Sequence, residues 1–248
     1  MDWTKAKTIL IIALIAANVF LLGNIAWIQV KEDQAAAVSE SETLAFLASR
    51  NVYLETELPD SEGKLPVLEV RYEKLDSEIL KEKIREQQEL SDEELAKEKS
   101  LVTAVETFGA SCGFSSENAE LDRVMADGEG FLIQFKNVVD GIPIEKSFLQ
   151  YRIQDQRIQS VDCYWLEALQ YGETRHSVIS PLQALLEFVS YHGDEGAVHV
   201  KAMEMVYWLD DSSVGQDVAV QDTAFPAWKI TYNNDKVEYI FAYDELAE

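Results

Sequence analysis

From Thr8 to Val30 the chain carries no charged residue, and that one stretch limits what the rest can be. As a helix, its 23 residues would reach roughly 34 Å at about 1.5 Å each, enough to cross a hydrocarbon core of about 30 Å. A secretory signal has a shorter apolar centre with a small-x-small cleavage site close behind it. Here Trp27, Ile28 and Gln29 stand where small residues would be needed, and Ala35-Ala36-Ala37 comes only after Lys31, Glu32 and Asp33. No Cys follows closely enough for lipoprotein processing, the first being Cys112. The expectation is an uncleaved transmembrane helix over residues 8–30. Lys5 and Lys7 precede it, and positive flanks stay on the cytoplasmic side. Residues 1–7 then form a cytoplasmic tail and residues 31–38 a polar linker. The remainder is extracytoplasmic, anchored in the cell membrane by a single pass.

The span has a pattern of its own. At about 100° per residue, Ala13, Ala16, Ala17, Phe20, Gly23, Asn24 and Trp27 fall within one arc of about 120°. Small side chains let another helix approach closely, and an amide such as Asn24 can hydrogen-bond across the gap for about 1 kcal/mol. These seven residues are a candidate face for a partner span. The bland reading is that Ala and Gly are common in any membrane helix.

Charge excludes one class of partner. The chain has 45 acidic and 21 basic residues, a formal net charge of −24. Removing Asp2, Lys5 and Lys7 leaves −25 outside the membrane. Such a field repels phosphate backbones, so nucleic acid is not an expected partner. It also holds the domain off anionic lipid. Hydrophobic residues make up 47% of the chain, enough for a packed core rather than a disordered stalk.

Hydrophobic periodicity divides the external part into a helix-bearing first portion and a strand-rich second one. "SETLAFLASRN" reads as a short amphipathic helix, and "VYLETEL" and "LPVLEVRYEKL" as two paired strands. In the charged stretch that follows, Ser91 and Glu94 form a capping box, and the helix it starts is expected to run on through "SLVTAVETFGASCG". There Leu101, Val105, Phe108 and Cys112 recur at helical spacing. Strands then follow one another, punctuated by Asp140-Gly141 and "QDQR". Ser180, Pro181 and Gly193 delimit one more helix, and a final hairpin turns at Asn233-Asn234-Asp235. The expected fold is α+β: antiparallel sheets with helices packed on one face, divided into an N-terminal α+β subdomain with charged helices (39–115) and a β-rich C-terminal one (116–248). A helix–strand–hairpin order occurs near Glu94–Trp165 and again near Pro181–Asp244, which suggests two related modules.

Catalytic constellations are scarce. His176, His192 and His199 are the three imidazoles, and the glycines of "GDEGAV" break any metal-binding helix between the last two. No phosphate-binding loop or nucleophile elbow is present. Adjacent acids such as Asp210 and Asp211, or the nearby Asp127 and Glu129, are expected by chance among 45, and "DDSSVGQD" lacks the spacing of a calcium loop. Cys112 and Cys163 can form one disulfide, but "SVDCYW" reads as a buried strand, which favours two free thiols. No cofactor and no metal is expected, and the chain is read as a non-enzyme. "GIPIEKSFLQYRIQDQRIQSV" presents Phe148, Tyr151 and Ile153. Together with "MVYWL" and "FPAWKITY" it can supply either a binding face or core.

The opening "MDWTKAKTILIIALIAANVFLL", with "GIPIEKSFLQYRI" and the closing "AWKITY…VEYIFAYD", resembles the YycI-type regulatory proteins. The resemblance implies a Gram-positive membrane protein. Such a protein acts with a YycH-type companion on a sensor histidine kinase of the YycG (WalK) type, in a two-component system controlling cell-wall metabolism. It implies no chemistry of its own. The competing expectation is an anchored binding module or protease inhibitor.

Overall fold

The computed structural model describes residues 40–60, 63–73, 75–114, 117–128, 130–192, 196–209 and 221–243. The expected span over residues 8–30 lies outside them. No helix among the described residues is long and apolar enough to cross a membrane. The architecture is α+β with a mostly antiparallel sheet. The chain divides into two compact units, Met1–Leu54 with Leu185–His199 and Glu55–Ala184 with Val200–Glu248.

In the first unit, helix α1 (residues 40–49) ends where Asn51 takes a left-handed φ of 59°. Strand β1 (Val52–Leu54) follows. Asn51 O accepts from Val198 N at 2.8 Å, and the Tyr53 and His199 rings lie 5.4 Å apart. Leu47, Val52, Leu185, Phe188, Val189 and Val198 are among its buried apolar residues.

The second unit holds β2 (Lys64–Glu73), α2 (Ser77–Glu86), α3 (Asp92–Ala96) and α4 (Glu98–Ser111), followed by a meander. The meander is β3 (Ala119–Asp127), β4 (Gly130–Val139), β5 (Ile142–Gln154) and β6 (Arg157–Ser177). After α5 (Pro181–His192) come β7 (Val198–Trp208), β8 (Asp222–Tyr232) and β9 (Lys236–Phe241). A helix followed by an antiparallel meander therefore occurs twice along the chain.

The turns behave as their residues dictate. Between the partners Val139 and Ile142, Asp140 and Gly141 both take positive φ, 50° and 81°, which matches the right-handed twist of a two-residue hairpin. Asp155 and Gln156 do the same, at 51° and 59°, between Gln154 and Arg157. Ser180 Oγ accepts from Gln183 N at 3.2 Å at the start of α5. The expected stop, Gly193, lies outside the described residues.

Two expectations are corrected. The Ser91–Glu94 capping box forms, but the helix it opens ends at Ala96. Lys97 is extended (φ −124°, ψ 115°) before α4 begins, so the chain turns a corner and lays α4 on the sheet. Nor does "LPVLEVRYEKL" pair with the strand before it: β2 lies between β6 and β8. Its inward residues Leu65, Leu68 and Val70, brought to one face by a register shift between Pro66 and Leu68, join one core with those neighbours.

The 21-residue strand β6 connects two sheet regions. Its first half pairs with β5 and its second half with β2. From there pairing passes through β8 to β7, and Tyr207 of β7 pairs in parallel with Ile144 of β5. The ladder thus closes into a ring, β5–β6–β2–β8–β7–β5. Its lining includes Leu68, Val70, Ile142, Ile144, Leu166 and Tyr207, one continuous core. A second core forms where α4 sets Leu101 and Val105 against Ile133, Phe135, Leu149 and Tyr151 of the meander. Burying each such side chain contributes about 1.5–3 kcal/mol. Helices α2 and α3 are attached through Gln87, whose side chain both donates to Ile158 O (2.7 Å) and accepts from Ile158 N (2.9 Å). It takes the place of a strand at the edge of β6.

Candidate functional site

Closing the ring requires β5 to leave β6 partway along. From Gln154 back to Phe148, β5 pairs with β6, with one register shift between Arg152 and Ile153, the last partner being Tyr164. At Lys146 the backbone then takes a left-handed φ of 64°. Inward side chains run Ile153, Tyr151, Leu149 and Ser147, then Ile144 and Ile142, so one extra residue sits at the kink. This is a β-bulge, and it redirects the strand toward β7.

The parting strands would strand the Leu166 backbone in a buried setting. Two side chains prevent that. Ser147 Oγ accepts from Leu166 N at 3.0 Å, and Asn137 Nδ2 donates to Leu166 O at 2.7 Å. Ser147 and Asn137 are the buried polar residues of the core, 3% and 1% exposed, and they are buried because they replace ladder bonds.

Between the separated strands lies a cavity of about 350 Å³, bordered by Phe148, Tyr164, Leu166, Trp208, Leu209 and the Glu145–Lys146 segment. Trp208 is held by an aromatic group, stacked on Tyr239 (5.5 Å, 17°) and edge-on to Phe241 (5.0 Å, 69°). Its indole N–H is buried and has no acceptor among the described residues. Beside it, Lys229 Nζ lies 3.0 Å from Glu145 Oε2 and 3.3 Å from Glu204 Oε1. Tyr239 donates to Glu145 Oε1 at 2.8 Å. Burial works against the charge on Lys229, but the carboxylates of Glu145 and then Glu204 outweigh it and raise its pKa above the ordinary lysine value. The cluster ties β5 onto β8 and β9 at the point where it leaves β6.

The sequence-derived candidates distribute as follows. Ala13, Ala16, Ala17, Phe20, Gly23, Asn24 and Trp27 lie outside the described residues, as do Glu129, Asp210, Asp211 and the rest of "DDSSVGQD". Of the aromatic segments, Tyr151 and Ile153 are core under α4, whereas Phe148 and Trp208 border the cavity. Asp127 accepts from Arg152 at 2.9 Å. His176 packs on Tyr243, His192 on Phe188 and His199 on Tyr53, three separate places. Among the described residues no three His, Cys, Asp or Glu side chains are grouped to hold a metal ion.

Cys112 and Cys163 are free thiols. Burial raises the pKa of both, Cys163 to about 11 with Glu73 adding to the shift. Neither is an activated nucleophile. Asn137, Ser147, Glu145 and Lys229 were not singled out from the sequence. The available signal was a Ser and an Asn at inward positions of otherwise apolar strands.

Residues 124–243 match the model of a family described as YycI protein. The match takes in "GIPIEKSFLQYRI" and "AWKITY…VEYIFAY", the bulged strand and the final hairpin. No curated protein matches the chain.

Proposed function

We propose, from the premise that this chain is a YycI-type protein over residues 124–243, that it is a non-enzymatic regulator in a two-component system of the YycG/WalK type. In this reading residues 8–30 anchor it as a single-pass protein of the cell membrane with residues 31–248 outside. It associates with the sensor kinase and a YycH-type companion and so modulates cell-wall metabolism. The family match carries the reading.

Such a regulator works by differential affinity. A kinase exchanging between two states shifts only if the partner binds one of them better. A difference of about 1–3 kcal/mol is a 5–150-fold bias. The face of Ala13, Ala16, Ala17, Phe20, Gly23, Asn24 and Trp27 is the surface we assign to a partner span.

The test is a mild-detergent pulldown of the full-length protein from its native membrane, beside a version whose residues 8–30 are replaced by a generic span. Recovery of a sensor kinase and a companion with the native span alone supports the helix face as the recognition element. Recovery with both assigns recognition to the external domain. Recovery with neither refutes the association.

A further inference from the structure

The bulge at Lys146 borders two cavities. One is the apolar space between β5 and β6. The other, also about 350 Å³, shares Glu145, Lys146 and Phe148 with it and is polar. Four cationic side chains, Arg123, Lys136, Lys146 and Lys229, border that second space. They meet three carboxylates, those of Asp122, Glu145 and Glu204. In a chain with 45 acids and 21 bases, a lining with more cations than anions is a local reversal of sign.

Most of these charges are accounted for. Lys229 is held by Glu145 and Glu204, and Arg123 lies 3.4 Å from Asp122 and bonds Gln134. Lys136 differs. It is half-buried and makes no ion pair or hydrogen bond within the described residues. Its register neighbours are Glu120 on β3 and Phe148 on β5, and Phe148 in turn pairs with Tyr164. The row Lys136–Phe148–Tyr164 therefore leads from an unpaired ammonium into the apolar cavity. Among the described residues Lys136 forms no ion pair, although Glu120 stands across the strand and Asp122, Glu145 and Glu204 border the same space, and an anion arriving there gains a charge-assisted bond to its ammonium.

We propose that the two cavities form one binding site for a single-chain amphiphile with an anionic head. Its apolar chain lies among Phe148, Tyr164, Leu166 and Trp208, and its carboxylate or phosphate pairs with Lys136. The occupant is a monomeric long-chain anion and not an anionic bilayer surface, which a net charge of −24 would repel. The site does not depend on association with a kinase.

The experiment uses full-length protein in nanodiscs of zwitterionic lipid. The probe is a twelve-carbon carboxylic acid with a photoreactive group at its tail, beside the matching twelve-carbon alcohol. Cross-linked peptides are mapped by mass spectrometry. The expected result is labelling of peptides containing Phe148 or Trp208 by the acid, displaced by laurate. Lys136→Gln should weaken it by roughly tenfold, the loss of one charge-assisted hydrogen bond. Lys81→Gln, a charge-matched change on the exposed face of α2, should leave it unchanged. Equal labelling by acid and alcohol, labelling insensitive to Lys136→Gln, or labelling confined to other peptides overturns the assignment.

Discussion

Replacing Ser147 by Ala removes one oxygen and little volume, yet it should be among the more damaging small substitutions in the second unit. The oxygen accepts from Leu166 N at 3.0 Å, in a place where Ser147 is 3% and Leu166 5% exposed. No strand can supply the missing acceptor, because β5 has already left β6. The Leu166 N–H would stay buried and unbonded, at a cost of about 1–3 kcal/mol. Taking about 2 kcal/mol and a urea m-value of about 3 kcal/mol/M, the unfolding midpoint falls by about 0.7 M. Hydrogen exchange gives the sharper readout. A local loss of about 2 kcal/mol speeds exchange of the Leu166 amide about thirtyfold relative to its β6 neighbours. An unchanged midpoint, together with a Leu166 amide as protected as before, would refute the argument that this hydroxyl stands in for a ladder bond.

Two further changes probe the supports around that point. Lys229→Met should cost about 1.5–3 kcal/mol, because it takes a charged donor from the half-buried Glu145. The pKa of Lys229 is raised in the folded state, so its contribution is fully present below the ordinary lysine value. It is lost as pH rises through the higher folded value. The stability difference between wild type and variant should therefore be flat from pH 7 to 9 and shrink under strong alkali, as followed by urea titration at each pH. Gly109→Ala tests the packing of α4: a Cβ there would meet the hydroxyl of Tyr151, whose side chain is 1% exposed. Overpacking of about 1–3 kcal/mol should appear as a lowered Tm. An unchanged Tm would mean that the helix shifts freely on the sheet.

Where a feature depends on a few adjacent residues, it was legible in the chain before any fold was known. The Ser91–Glu94 box, the Ser180 cap and the Asp140-Gly141 turn each form as their residues predict, because a cap or a tight turn is settled by dihedral preference and by hydrogen bonds within four residues. The alternation of "LPVLEVRYEKL" declares a strand in the same way, and the runs on either side of Asp140-Gly141 read as strands bounded by turn residues. From those strands in order, with single helices between, the α+β class follows. The uncharged run over residues 8–30 is likewise plain in the sequence, although it lies outside the residues described by the structure.

Tertiary structure alone decided which strand lies beside which and what the inward polar residues are for. That β2 separates β6 from β8, or that β5 crosses to β7, depends on side chains far apart in the chain being buried together, and no local preference encodes it. Tyr151 and Phe148 show the same limit. They stand three positions apart on one strand, so the pleat turns them to opposite faces, but only the fold sets α4 over the first and a cavity beside the second. Ser147 and Asn137 read as ordinary polar residues until β5 and β6 separate. They are needed there because a buried peptide group must find a partner, and only the folded chain determines which peptide groups are left without one.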